Sequence, residues 1–247
     1  TKADVYVLAL PNGESDAWVQ AISNVSPESI IVDLSADHRV NNDWTFGLPE
    51  INREQIKQAR LIANPGCYAT AVILALWPFR SVLADTPVAF GVSGYSGAGR
   101  ISNERNNLAD LKDNIRPYKT TGHIHQKEIS HVLGTPVYLI PHVTSFFRGL
   151  LATVSLHTTS VVTDPLQRIR NAFGSELYIQ ISDRPAEPAL VRGRAIAEIG
   201  CAVRDEENPA HLVVTAALDN LAKGAATQAM QNINLAMGFD EGEGVSI

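Results

Sequence analysis

Short unbroken apolar runs alternate, through the first quarter of the chain, with segments whose apolar positions recur at helical spacing. Val5-Tyr6-Val7-Leu8-Ala9-Leu10, Ile30-Ile31-Val32 and Leu61-Ile62-Ala63 read as strands of a parallel sheet, the first of them buried on both faces. Helices are predicted between them over 15–22 and 53–59. The third run ends at Asn64-Pro65-Gly66-Cys67, and a helical pattern occupies 69–77. Beyond Trp77-Pro78 the rhythm changes to longer strands with polar alternation, predicted over 88–92, 137–140, 150–157, 178–181, 195–203 and 212–218. Ile129, Val132 and Leu133 share one helical face, and Thr163-Asp164-Pro165 is a cap followed by proline at the first helical position. The class is therefore α/β, a Rossmann-type doubly wound parallel sheet followed by an α+β domain on a mixed or antiparallel sheet.

Composition narrows the partners. A chain of 247 residues, 45% apolar, can bury one large core or two modest ones. Net charge is −6 with no basic block, which argues against nucleic acid. No apolar run reaches the length of a membrane span, and the first residues lack a basic-then-apolar signal pattern. The two cysteines, Cys67 and Cys201, lie far apart, so a disulfide framework is not expected and a reducing compartment is. Asp240-Glu241-Gly242-Glu243-Gly244 reads as a solvated tail.

Candidate chemistry begins at Cys67. On a Pro-Gly corner at a helix start, unpaired N–H groups and the positive end of the helix dipole favour a thiolate nucleophile. The competing reading is a buried cysteine acting as a small hydrophobe. Asp33 and Ser35 follow a strand of the parallel sheet, the position where ligands bind. Gly91, Gly94 and Gly97 match a nucleotide-loop spacing, yet residues 100–107 have no apolar helical face. The segment is therefore read as a flexible loop whose backbone N–H groups can take an anion, not as a Rossmann turn.

In His123-Ile124-His125, an extended segment would aim both imidazoles at one ligand and Ile124 at the core. Proton transfer, a solvent-facing pair, or a metal site completed by His131 or Cys67 all compete, and zinc would need three or four ligands in fixed geometry. Arg148 is a candidate clamp for a phosphate or carboxylate. Asp219 and Asn220 suit a cap on a final helix over 220–237.

Asn64-Pro65-Gly66-Cys67-Tyr68 resembles the active-site signature of the N-acetyl-gamma-glutamyl-phosphate reductases. Further matches follow in that family's order: Leu8-Ala9-Leu10-Pro11-Asn12, Asp33-Leu34-Ser35-Ala36-Asp37, Gly91 to Gly99, His123-Ile124-His125 and Asp219 to Ala226. The wording of the Gly91 loop and of 231–238 is most similar to a subgroup shared by fungal mitochondrial and some bacterial enzymes.

The resemblance implies a fold like the glyceraldehyde-phosphate and aspartate-semialdehyde dehydrogenases. It implies a cofactor domain over 1–66, a catalytic and dimerisation domain over 67–219, and a C-terminal helix over 220–247 returning to the first. The implied reaction is NADPH-dependent reduction of an acyl phosphate, in arginine biosynthesis, through a thioester on Cys67, with His125 or His123 as acid/base. Implied cofactor contacts are Pro11, Ser35, Ser93, Ser96, Gly97 and Asn220, and substrate contacts are Ser93, His123 and Arg148. No metal is implied, and the partners are the small-molecule acyl phosphate and further copies in a homodimer or homotetramer. The compartment is cytoplasm or, alternatively, mitochondrial matrix. An aminoadipyl or aspartyl phosphate remains an alternative substrate, and a non-catalytic or processed subunit an alternative role. The match begins partway into the family's cofactor domain, so its first strand, Gly-rich turn and helix are expected to be missing from this sequence.

Overall fold

The computed structural model describes residues 2–99 and 106–246. In chain order the elements are β1 (Val5–Leu8), α1 (Ser15–Val25), β2 (Ile30–Asp33), β3 (Thr45–Phe46), α2 (Pro49–Ile56), β4 (Leu61–Ala63) and α3 (Cys67–Leu76). They continue with β5 (Val88–Gly94), α4 (Leu108–Leu111), β6 (Ile115–Pro117), α5 (Ile124–Leu133), β7 (Tyr138–Thr144) and β8 (Leu150–His157). Last come α6 (Pro165–Phe173), β9 (Ile179–Ser182), α7 (Pro188–Val191), β10 (Ala197–Arg204), β11 (His211–Leu218) and α8 (Thr227–Met237). Two compact units emerge, one from the residues up to Gly66 with Ala225–Ser246, the other from Cys67–Gly224.

The first unit is built on a four-stranded sheet, all parallel, in the order β1-β2-β4-β3. Side chains alternate across a strand, so Ile30 and Val32 of β2 join Ile56, Ile62, Ala229 and Leu235 in one core, while Ile31 joins Leu8, Ile22, Trp44 and Ala63 in another. Burial on both faces is what makes β2 an unbroken apolar run. β1 departs from that expectation: it is an edge strand among the described residues, and Val7 is 47% exposed. α2 starts earlier than 53–59 because Pro49 presets its first turn. The tail is not simply solvated: Arg53 grips Glu241 through Nε and Nη2 at 3.0 and 3.1 Å, and Gln231 Nε2 donates to Glu241 at 2.6 Å. The final helix also differs from the 220–237 expectation. A π-helical turn, Ala222–Ala226, precedes α8, and the regular helix begins only at Thr227.

The second unit carries a mixed seven-stranded sheet in the order β6-β7-β5-β8-β11-β10-β9. β5–β7 and β9–β10 are parallel and the other neighbours antiparallel. β8 alternates buried and half-buried positions along its whole length, the mark of a sheet covered on one face. The covering element is α3, apolar all round and buried from Tyr68 to Leu76 as such a helix must be, with α5 and α6 beside it. α6 opens as its cap predicts, with the Asp164 carboxylate accepting from Gln167 N at 2.8 Å and Pro165 in the first turn. The opposite face of the sheet exposes Val88, Phe90, Tyr138 and Val203.

Candidate active site

β4 ends at Ala63, and Asn64-Pro65-Gly66 delivers the chain to Cys67, the first residue of α3. The thiol is half-buried and in no disulfide. Its position puts it against the first-turn amides and the positive end of a ten-residue helix. The π-turn lies directly beside it. A β-carbon on Gly224 would stand 2.7 Å from Cys67 Cβ and 3.0 Å from Leu218 Cδ1, so the approach requires glycine. Cys201 lies in β10, and its side chain is outside the described residues.

Tyr68, one residue on, is 1% exposed. Its ring fills the place a side chain at Gly91 would take, and its phenol donates to the His142 carbonyl on β7 at 2.7 Å. Burial, then the neighbouring Tyr118 and Cys67, hold that phenol well above the usual value of 10.0, so it stays a neutral donor. Both candidate histidines stand around it. Ring centroids lie 6.2 Å away for His123, 6.0 Å for His125, and 4.9 Å between the two imidazoles, with Tyr118 5.7 Å from His123.

The histidines reach this arrangement differently from the extended segment expected. His123 is the N-cap of α5, and its Nδ1 accepts from the His125 amide at 3.2 Å, satisfying one of the helix's orphan donors. Ile124 begins the helix and is 42% exposed, so it does not face the core.

Ser93, Ser96, Gly97 and Asn220 come together at the end of β5. Asn220 accepts from the Gly149 amide at 2.7 Å and donates to Ser96 Oγ at 2.9 Å. It therefore does not cap a helix. Asp219 does that work instead, accepting from Leu221 N and Ala222 N at 2.9 and 3.2 Å. The same buried carboxylate accepts from Gly193 N at 2.6 Å and forms an ion pair with the Arg148 guanidinium, Nε 2.5 Å away. The anion-binding loop is corrected in part: the amides of Gly94, Tyr95 and Ser96 are bonded to the carbonyls of Gly149, Phe146 and Phe147. Residues 100–105, the rest of that loop, lie outside the described residues. Gly97 packs closely on this group: a β-carbon there would crowd Ser93 Oγ at 3.3 Å and lie 3.6 Å from Asn220 Nδ2.

Pro11 and Ser35 sit in the first unit, on adjacent turns at the carboxyl ends of β1 and β2. The turns are tied together: Ala36 N donates to Asn12 Oδ1 at 3.0 Å, and Gly13 N reaches both Asp37 oxygens at 2.8 Å. Burial would raise the Asp37 carboxyl, but the Gly13 and Ser15 amides outweigh it and hold it below its usual range. The Ser35 hydroxyl is itself buried, bonded to Asp33 Oδ2 at 2.8 Å and to Ser15 Oγ at 2.9 Å. The carboxyl end of this parallel sheet is thus a prebuilt backbone surface, at the place where such sheets take ligands. Among the described residues, no group of three or more His, Cys, Asp or Glu side chains is placed to hold a metal ion.

Tyr68 and Gly224 are site neighbours that the motifs contain but whose work no spacing announced, and Asp219, expected as a cap, also binds Gly193 N and pairs with Arg148. A buried aromatic next to a candidate nucleophile, and glycines away from any positive-φ turn, were the signals available.

The semialdehyde dehydrogenase NAD binding domain matches residues 1–59, and the semialdehyde dehydrogenase dimerisation domain matches residues 67–220. Among solved structures, aspartate semialdehyde dehydrogenase II from Vibrio cholerae superposes with a TM-score of 0.79 at 18% identity, covering 96% of this chain and 80% of that one. Fold and domain order thus define a two-domain oxidoreductase of the semialdehyde dehydrogenase class. In sequence the chain is 46% identical over 241 residues to N-acetyl-gamma-glutamyl-phosphate reductase of Xanthomonas campestris pv. campestris, covering 97% of this chain and 76% of that protein. It is also 46% identical to the enzyme of that name from Xylella fastidiosa, covering 97% and 72%. The "Bifunctional protein argC, mitochondrial" of Dictyostelium discoideum matches at 46%, covering 96% of this chain and 28% of that protein. The chain belongs to the N-acetyl-gamma-glutamyl-phosphate reductase family.

Proposed function

We propose that the protein reduces N-acetyl-gamma-glutamyl phosphate to the semialdehyde, with NADPH as reductant and release of phosphate, as a step of arginine biosynthesis. What carries this reading is a half-buried thiol at the start of α3 whose next residue, Tyr68, packs against two imidazoles. Relatives at 46% identity weigh for this substrate over the aspartyl one, since the aspartate enzymes resemble the chain only in fold.

Cys67 thiolate attacks the acyl carbon, a C–S bond forms, and the C–O bond to phosphate breaks. When bound, the nicotinamide supplies the hydride that reduces the resulting thioester. First-turn amides of α3 favour the oxyanion at each tetrahedral stage. Collapse then breaks the C–S bond and the aldehyde leaves, the departing thiolate taking back from an imidazolium the proton the imidazole accepted when the thiol ionised.

The cap geometry favours His125 as the carrier of that proton. Protonating His123 at Nδ1 would forfeit the bond it accepts from the helix, so substrate contact is the role left to it. Ser93, Ser96, Gly97 and Asn220 would hold the nicotinamide end, Pro11 and Ser35 the rest of the dinucleotide, and Ser93 and Arg148 the acyl phosphate. The open face of the seven-stranded sheet, with Val88, Phe90 and Tyr138 exposed, is the surface we assign to a homodimer or homotetramer. Among the described residues no helix is long and apolar enough to cross a membrane. The bacterial relatives support a cytoplasmic compartment, and the Dictyostelium protein keeps the mitochondrial matrix as the alternative.

The test compares Cys67→Ser with Cys201→Ser. Cys67→Ser should lower turnover of the acyl phosphate by about a thousandfold or more while leaving NADPH affinity unchanged. Cys201→Ser should stay near wild type. Equal losses in both folded variants would overturn Cys67 as the unique nucleophile.

A further inference from the structure

Tyr68 is more elaborately held than a space-filling core residue needs to be. Phenylalanine would fill the same volume between α3 and the sheet. The hydroxyl instead reaches across β5 to the His142 carbonyl of β7, at 2.7 Å. One end of the ring is therefore pinned to the sheet, and a β-carbon on Gly91 would stand 2.3 Å from Tyr68 Cε1, so the ring's approach to β5 requires glycine there. The ring is thus anchored at its hydroxyl as well as at its Cβ, with His123 edge-on to it and His125 tilted, centroids 6.2 and 6.0 Å away. Around it stand the titratable groups of the site: Cys67 one residue before, Tyr118 at its hydroxyl, and the two imidazoles.

We propose that Tyr68 is a positioning residue, which sets the His123–His125 pair relative to Cys67 through its pinned ring rather than by touching substrate. The proposal rests on the reading of Cys67 and the histidines given above. It assigns Gly91 a purpose that its place in a glycine spacing concealed: the glycine makes room for Tyr68. It also explains why the residue after the cysteine is an aromatic with a polar tip.

The test uses the full chain in a Cys201→Ser background, with Tyr68→Phe, Gly91→Ala, His125→Asn and the Tyr68→Phe/His125→Asn double variant. Thermal melting confirms that each is folded. Two readouts are taken across pH: steady-state reduction of the acyl phosphate, and the rate at which iodoacetamide alkylates Cys67 without cofactor. Tyr68→Phe should lower kcat about three- to tenfold, the scale of one buried hydrogen bond, with KM changed less than about twofold. It should also shift the histidine-dependent limb of both pH profiles. Gly91→Ala, which removes no polar atom, should do the same by displacing the ring. The double variant should be no slower than His125→Asn alone, because the tyrosine acts through that histidine.

Losses that multiply in the double variant would overturn the proposal, as would unchanged pH profiles in Tyr68→Phe and Gly91→Ala. If wild type fails to reduce the acyl phosphate, the functional reading falls. The alkylation profiles then still decide whether Tyr68 controls the surroundings of the thiol.

Discussion

Asp33 and Asp219 are both fully buried carboxylates at the carboxyl end of a strand, one in each unit, and they spend their hydrogen bonds in opposite ways. Asp33 binds mainly side chains: Ser15 Oγ at 3.1 Å, Ser35 Oγ at 2.8 Å and His38 Nδ1 at 2.6 Å, with Ser35 N at 2.9 Å. His38 in turn reaches Asp16 at 3.0 Å and stacks on Trp44, so the cluster closes on itself. Asp219 binds three backbone amides and the Arg148 guanidinium. A carboxylate whose partners bind one another holds a turn in place. One that collects loops and a cation brings distant segments of chain to a single point.

The comparison breaks first on stability. Asp33→Asn should destabilise the protein by roughly 2–4 kcal/mol, because the buried serine and histidine donors lose a charged acceptor that nothing else replaces. The turnover of the folded fraction should change little. Urea unfolding and active-site titration together check this, and a large fall in kcat with intact stability would reverse the roles given to the two aspartates. Asp219→Asn should have the smaller cost in stability and the larger in catalysis. With Arg148 released and the Gly193 segment untied, kcat/KM should fall about 10- to 100-fold, chiefly through KM. A fall confined to kcat would mean that Arg148 does not serve substrate binding.

The same contrast explains what the sequence disclosed. β2 and β8 were legible because burial on two faces or one writes itself as an unbroken run or an alternation. β3 and β6, two and three residues long with polar or proline members, carry too few positions to show a period. The apolar run of β1 does not show that it is an edge strand among the described residues. Cys67 stood out through local chemistry, a thiol on a Pro-Gly corner before a helix. His123 and His125 were found, but their geometry was not, since no periodicity tells that an imidazole will cap the helix it precedes. Asn220 looked like a cap for want of knowing that its partners, Gly149 and Ser96, are 71 and 124 residues away in sequence. The packing of Tyr68 and Gly224 and the ties of Asp219 to Gly193 and Arg148 are contacts between distant segments, which spacing along the chain does not encode.

The smallest effect sharpens the comparison at its exposed rim. Asp37 joins the turns after β1 and β2 from outside the Asp33 cluster, and its two oxygens take the Gly13 amide at 2.8 Å. Burial works against the charged form, yet the Gly13 and Ser15 amides more than compensate and depress the carboxyl below its usual 3.8. A carboxyl depressed by folding contributes stability that is fully present above the unfolded value. That contribution is lost as pH falls through the folded value, because the folded state then has to take up a proton it holds poorly. Asp37→Asn should therefore cost less than about 1 kcal/mol at neutral pH, the site being partly solvated. The gap from wild type should close as pH falls below 3.8. Unfolding free energies from urea titrations at a series of pH values provide the measurement. Two curves that stay parallel down the acid limb would show that the Gly13 and Ser15 amides hold the turn equally well without a charge.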